Sequence, residues 1–146
     1  MLKRIGATAI AALTAHALAW GVGLYMVFGP VYQGVSVTAT LPGEPPGQAT
    51  RHTETLLEAN GLWVPWLLFV PILLTGLVLL AIRLTHPGQA RRKVLLWLPS
   101  VVLLAFCAVA IASIGMLYLP AALALLVAAI AGSLDSATDA REAANA

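Results

Sequence analysis

His16 is the one histidine deep inside a long apolar run of this sequence. An imidazole at membrane depth could ligate haem iron, hydrogen-bond a quinone or carry a proton. A haem site between helices usually needs a second histidine at matching depth, but His52 and His86 both fall in polar segments. The structural alternative is a neutral imidazole hydrogen-bonded to another helix, either to a backbone carbonyl or to Ser100. The sequence favours this structural role, and the redox role stays open.

Glu58 and Asn60 are the next candidates, and both lie in a polar segment. They could bind a cation or a partner chain. However, Thr55-Leu56-Leu57-Glu58 also has the spacing of a helix capping box, and Asn60-Gly61 could end the short helix that it starts. We interpret capping as their main role and keep recognition as the alternative.

The remaining apolar runs contain little that could do chemistry. Asp, Glu, Lys and Arg occur only at their ends. This weighs against proton-coupled transport, including the small four-helix multidrug exporters that rely on a membrane-embedded Glu. A carboxylate pair, a catalytic triad and a phosphate-binding glycine loop are all missing from the sequence, and Cys107 is the only cysteine. We therefore predict no catalytic residue, no metal ligand and no cofactor, and a chain that is not an enzyme.

Composition places these residues in a membrane protein. The chain has 146 residues, 60% of them hydrophobic and only 10% charged, against roughly 25% charged in a soluble domain. Apolar runs predict spans at about residues 5–28, 62–82, 93–113 and 115–134. The last two come from one run, residues 94–132, which as a single helix would be roughly 58 Å long and must fold back. The tight turn is expected at Ser113-Ile114-Gly115.

The predicted fold class is all-α: a four-helix transmembrane bundle in a single domain, residues 1–134. An outer loop covers residues 29–61, a cytoplasmic connector residues 83–93, and a tail, residues 135–146, is expected to fray. Residues 35–40 alternate apolar and polar, residues 41–47 are rich in Pro and Gly, and residues 49–55 could return as a second strand. The loop is thus expected to form a β-hairpin, which needs support from the bundle or from another subunit.

The basic residues orient the spans. All but Arg51 fall on one predicted side, namely Lys3, Arg4, Arg83, Arg91, Arg92, Lys93 and Arg141. Because Lys and Arg in short flanks are retained in the cytoplasm, both termini are predicted to be cytoplasmic, in a multi-pass protein of the inner membrane. The start also resembles a signal peptide, but the apolar run continues to Phe28, which favours a retained anchor. Arg83, Arg91, Arg92 and Lys93 are expected to contact anionic lipid headgroups, and no nucleic acid partner is expected.

Small residues predict where the helices meet. Ala7, Ala11, Ala15, Ala19 and Gly23 recur at every fourth position, and the fourth span carries Ala124, Ala128 and Gly132. Such stripes let backbones approach closely in lipid, so we expect the first span to pack on the fourth or on a partner protein. Pro71 is expected to kink the second span. Tyr25, Ser100 and Ser113 are expected to hydrogen-bond between helices.

The phrase Thr55-Leu56-Leu57-Glu58-Ala59-Asn60-Gly61, which leads into Trp63-Val64-Pro65, resembles the outer loop of small uncharacterised bacterial membrane proteins. The resemblance covers about the middle third of the chain. It implies a bacterial inner-membrane protein with four spans, and it implies no catalytic residue.

Together these features favour a structural or accessory protein, either a small subunit or partner of a larger membrane complex or a self-associating scaffold. Membrane lipids, and another membrane protein or a second copy, are the expected partners. Three alternatives stay open: a transporter or channel for a neutral or apolar solute, a haem- or quinone-binding subunit that uses His16, and a membrane-embedded enzyme acting on lipids. The transporter would have a wet cavity lined by His16, Tyr25 or Ser100.

Overall fold

Four long helices make up most of the structure, a computed structural model that describes residues 6–37, 49–86 and 89–145. The elements in chain order are α1 (Ala7–Phe28), β1 (Tyr32–Val37), β2 (Ala49–Glu54), α2 (Leu56–Asn60), α3 (Val64–Leu84), α4 (Ala90–Val109) and α5 (Gly115–Asn145). Helices α1, α3 and α4, and α5 as far as Asp135, are long and apolar enough to cross a membrane. The predicted all-α class with a small hairpin is confirmed, and the chain is a multi-pass membrane protein.

The unbroken apolar run is divided by a short turn between Val109 and Gly115. Helix α4 ends four residues before the predicted bound, and α5 begins at Gly115 as predicted. A side chain at Gly115 would place its Cβ 2.6 Å from the carbonyl carbon of Ala110. The turn can therefore be this tight only because residue 115 is a glycine.

Helix α5 continues to Asn145, through the segment that was expected to fray. That expectation was wrong. After Gly132 the segment contains neither Gly nor Pro, and its many Ala residues, with Glu and Arg, have high helix propensity. A helix already formed in the membrane needs no new nucleus to continue, so these residues extend it.

The chain divides into two compact units. The first contains residues 1–22 and 69–146, and its core lies largely between α4 and α5. Leu96 and Leu103 of α4 and Tyr118 and Leu125 of α5 are almost fully buried there. Because lipid is as apolar as these side chains, this interface depends on close packing and on hydrogen bonds.

The second unit, residues 23–68, contains the antiparallel pair β1 and β2, with Tyr32 opposite Glu54 and Val37 opposite Ala49. Strand β1 starts at Tyr32, three residues before the predicted position, and the predicted turn at 41–47 lies outside the described residues. The predicted capping box is confirmed, because the Thr55 hydroxyl accepts from the Glu58 N–H at 3.2 Å and the Thr55 N–H donates to Glu58 Oε2 at 2.8 Å. Gly61 ends α2 with φ +82°, where a side chain would be strained.

Candidate functional site

His16 joins α1 to α3 in the first unit. Its Nδ1 lies 2.9 Å from Oγ1 of Thr75, a fully buried residue of α3. Its Nε2 accepts a hydrogen bond of 3.1 Å from the indole N–H of Trp20, one turn further along α1. The two rings meet edge to face, with centroids 6.3 Å apart. The imidazole of His16, a polar group at membrane depth, is therefore hydrogen-bonded at both of its ring nitrogens.

The direction of these hydrogen bonds follows from their chemistry. An indole nitrogen can only donate, so Nε2 of His16 must be the unprotonated nitrogen. The proton of the neutral ring is then on Nδ1 and is donated to the Thr75 hydroxyl. That hydroxyl in turn donates to the carbonyl of Pro71 at 2.9 Å or of Ile72 at 3.0 Å. The chain of hydrogen bonds starts at Trp20 and ends on the backbone of α3.

This arrangement matches the structural role of His16, with Thr75 rather than Ser100 as the partner. Both ring nitrogens are already used, so a metal could bind the imidazole only after one hydrogen bond is broken. Ser100 belongs to a different pair of helices, where its hydroxyl donates to the carbonyl of Leu96 at 2.7 Å or of Leu125 at 3.2 Å. Ser100 thus bonds between helices as predicted, but away from His16.

The other predicted hydrogen bonders are placed differently. Ser113 donates to the carbonyl of Ala110 within its own turn, so it does not connect two helices as expected. Tyr25 is 58% exposed. Pro71 lies inside α3, where its carbonyl accepts from Thr75 as described. His16 and Ser100 therefore bond across two different pairs of helices, α1 with α3 and α4 with α5.

A second polar contact joins α1 to α5. The Thr8 hydroxyl donates to Asp135 Oδ2 at 2.9 Å. One turn earlier on α5, a Cβ on Gly132 would lie 3.3 Å from Cγ2 of Thr8 and 2.6 Å from Cδ1 of Leu96. The indole N–H of Trp97 donates to the Ser133 hydroxyl at 3.0 Å, which connects α4 to the same part of α5.

The small-residue stripes differ in burial along their length. In α1, Ala15, Ala19 and Gly23 are buried, Ala11 is half-buried and Ala7 is exposed. The buried face begins instead with Thr8 and Ala12. Since an α-helix has 3.6 residues per turn, a stripe with a period of four rotates away from a straight contact. In α5, Ala128 and Gly132 are buried and Ala124 is half-buried.

The four basic residues predicted to contact headgroups fall into two environments. Arg83, Arg91 and Lys93 are exposed. Arg92 is only 6% exposed, on the face of α4 that also carries Leu96 and Ser100. Its Nε is buried and has no hydrogen-bond partner among the described residues.

Glu58 and Asn60 are both engaged in capping α2. Oε2 of Glu58 accepts from the backbone N–H of Thr55 and, at 2.9 Å, from its hydroxyl, and these bonds lower the pKa of the Glu58 carboxyl, the backbone bond most. The amide of Asn60 donates to the carbonyl of Leu56 at 3.2 Å. Their positions agree with the capping interpretation given above.

The hairpin exposes side chains on both faces of its two strands. Tyr32 is 44% exposed, with the His52 and Glu54 side chains on the same face, and Val35 is 61% exposed on the other. His52 Nε2 lies 3.5 Å from Glu54 Oε1, and the ring of His52 covers Gly34. Gly34 and Val35 line an open groove of about 540 Å³ with Arg51 and Thr53.

Sequence reasoning missed Thr75, Thr8 and Asp135 as partners. A signal for Thr75 was present, since it is the only hydroxyl residue between positions 62 and 82. Thr8 and Asp135 are 127 positions apart, and no sequence spacing relates them.

Comparison with known proteins gives no relative: no family model, no curated protein and no solved structure matches the chain.

Proposed function

We propose that this chain is a structural or accessory protein of the bacterial inner membrane, which binds another membrane protein or a second copy of itself through its hairpin. Its termini are cytoplasmic, so the hairpin lies on the outer side. The orientation rests on the distribution of Lys and Arg.

The observation that carries the proposal is the exposure of the two-stranded sheet. An isolated pair of strands is marginal in water and needs an apolar face packed against something. Here Tyr32 on one face and Val35 on the other are both largely exposed. Each strand also has one edge without a neighbouring strand in the two-stranded sheet, and such edges accept further strands. A partner that covers the sheet would supply the missing packing.

The polar groups of the spans support the same proposal. His16, Thr75 and Ser100 use their hydrogen-bonding groups to join helices or to bond carbonyls. Side chains used in this way hold a bundle together and are not free to bind a solute. A haem- or quinone-binding subunit would need His16 to give up its hydrogen bond with Trp20 or with Thr75. This geometry therefore supports neither a transporter nor a redox subunit.

Site-specific photo-crosslinking tests the proposal. A photoreactive residue at Val35 in intact cells is expected to form one discrete protein adduct, either at twice the mass of the chain or with a single partner. The same residue at Leu73, which is 57% exposed on the membrane helix α3, is the control. It should yield lipid adducts and should not yield the discrete protein adduct that is expected from Val35.

Two results would overturn the proposal. One is a purified chain that is monomeric in lipid and forms no protein adduct from Val35. The other is an equal pattern of adducts from both positions, which would indicate random collision.

A further inference from the structure

A cleft between α1 and α3 has the lining of a lipid site. It holds about 420 Å³ and lies wholly within the first unit. Its walls are apolar except at one position, and they include Ala9, Leu13, Gly76, Leu79, Leu80 and Arg83. The exception is Arg83, an exposed residue in the last turn of α3.

The cleft exists because small residues line it. Gly76 has no side chain, and a Cβ there would meet only the His16 ring, at 3.5 Å. The bond between His16 and Thr75 holds α1 and α3 together beside Gly76. Ala9 lies two turns before His16, and its small side chain leaves the other end of the cleft open. From Gly76 to Arg83 the cleft follows α3 for roughly 10 Å at 1.5 Å per residue.

We propose that this cleft binds one acyl chain of an anionic phospholipid, with the lipid phosphate on Arg83. The volume of the cleft lies in the range of small-ligand sites. An apolar slot that ends at a guanidinium is complementary to a hydrocarbon chain with a phosphate at its end. This site needs no partner protein, so it is independent of the role proposed above.

Spin-labelled lipids test the site. The protein is reconstituted in phosphatidylcholine bilayers with a small amount of spin-labelled phosphatidylglycerol or spin-labelled phosphatidylcholine, and the motionally restricted fraction is measured by electron paramagnetic resonance. Phosphatidylglycerol is expected to associate about fivefold more strongly, the effect of one basic residue near the surface. Arg83→Gln should lower this preference and leave the restricted fraction of phosphatidylcholine unchanged.

A second set of variants tests the effect of filling the cleft. Ala9→Phe places a ring where the chain would lie and should lower the restricted fraction for both lipids by the share that the cleft contributes. Ala17→Phe adds the same ring at an exposed position of α1 outside the lining, and it should have no effect. Lys93→Gln removes an exposed positive charge that is not part of the lining, and it should lower the preference clearly less than Arg83→Gln does.

Either of two outcomes would overturn the proposal. If Lys93→Gln lowers the preference as much as Arg83→Gln, the attraction is a diffuse effect of surface charge. If folded Ala9→Phe protein keeps the same restricted fraction as the unchanged protein for both lipids, the acyl chain lies elsewhere. Since Arg83 is exposed, its variant is expected to fold and tests the headgroup independently of the cavity variant.

Discussion

At the scale of single residues, the hydrogen bonds of His16 select one tautomer of its ring. Trp20 can only donate, so the bond between them requires an unprotonated Nε2. A protonated imidazole would face the indole with a second donor and lose that bond. The neutral ring is therefore the form that fits between α1 and α3, in keeping with the high cost of charge at membrane depth.

Removing the Thr75 hydroxyl should loosen this pair of helices. Thr75→Val keeps the shape of the side chain but leaves Nδ1 of His16 without its acceptor. We expect the free energy of unfolding to fall by about 1 kcal/mol, as for other hydrogen bonds between membrane helices. Reversible unfolding by SDS in mixed micelles measures the change.

Thr14→Val is the matched control, because Thr14 is an exposed position of α1. It should leave stability nearly unchanged. An equal loss in both variants would mean that the bond between His16 and Thr75 contributes nothing specific.

The capping box should make α2 sensitive to acid. The Thr55 backbone and hydroxyl bonds lower the pKa of Glu58 below its ordinary value of 4.5. A carboxyl whose pKa is lowered by folding stabilises the folded form above its unfolded pKa, and this contribution is lost as pH falls through the lowered value. We expect the amide signals of Leu57 to Ala59 to move toward disordered values below about pH 4.5.

NMR spectra in micelles between pH 7 and pH 3 check this. Glu58→Gln can still accept from Thr55 but does not titrate, so its signals should stay constant. Glu54→Gln removes the neighbouring acid and should keep the transition. A transition that survives in Glu58→Gln would assign the effect to another group.

At the scale of elements, the pairing of α4 with α5 depends on the turn between them. The backbone of Gly115 passes so close to Ala110 that no side chain fits without moving the chain. On the other side of this pair, Ser100 and Trp97 add hydrogen bonds to α5. The two helices therefore behave as one antiparallel hairpin held at the turn and along its length.

Gly115→Ala should disrupt that hairpin. The new Cβ would clash with backbone atoms, which cannot rotate away as a side chain can, so we expect a loss of roughly 1–3 kcal/mol. Gly21→Ala is the control, because nothing lies within 4 Å of its Cβ position in α1 and alanine favours helix. It should be neutral or slightly stabilising.

Thermal unfolding of both variants in the same detergent gives the comparison. If Gly115→Ala is as stable as Gly21→Ala, the turn has more room than the structure indicates.

At the scale of the whole molecule, the orientation in the membrane is the main prediction. In a chain with Cys107→Ala, a cysteine at the exposed Thr53 should react with an impermeant maleimide on intact cells. A cysteine at the exposed Gln89 should react only after the membrane is opened. The reason is the excess of Lys and Arg around Gln89, which retains that side in the cytoplasm.

The reverse pattern would invert the topology and place the hairpin inside. The Cys107→Ala chain without an added cysteine contains no thiol and measures the background labelling.

The sequence by itself determined the fold class, the membrane spans and the local structural motifs of this protein. The length of an apolar run against the thickness of a bilayer is a local property, and so are the capping box at Thr55 and the turn expected at Ser113-Ile114-Gly115. Each depends on residues close together in the chain, so each can be found without knowing the neighbours of a helix.

Only the tertiary structure decided which residues meet. That His16 pairs with Thr75, that Thr8 reaches Asp135 and that Arg92 is turned inward all depend on how each helix is rotated. In a soluble bundle the apolar face of a helix reveals this rotation. In a membrane, lipid and protein interior are equally apolar, so hydrophobic periodicity does not mark the inner face. The rotation is set by close packing and by a few distant polar pairs, which become visible only once the helices are assembled.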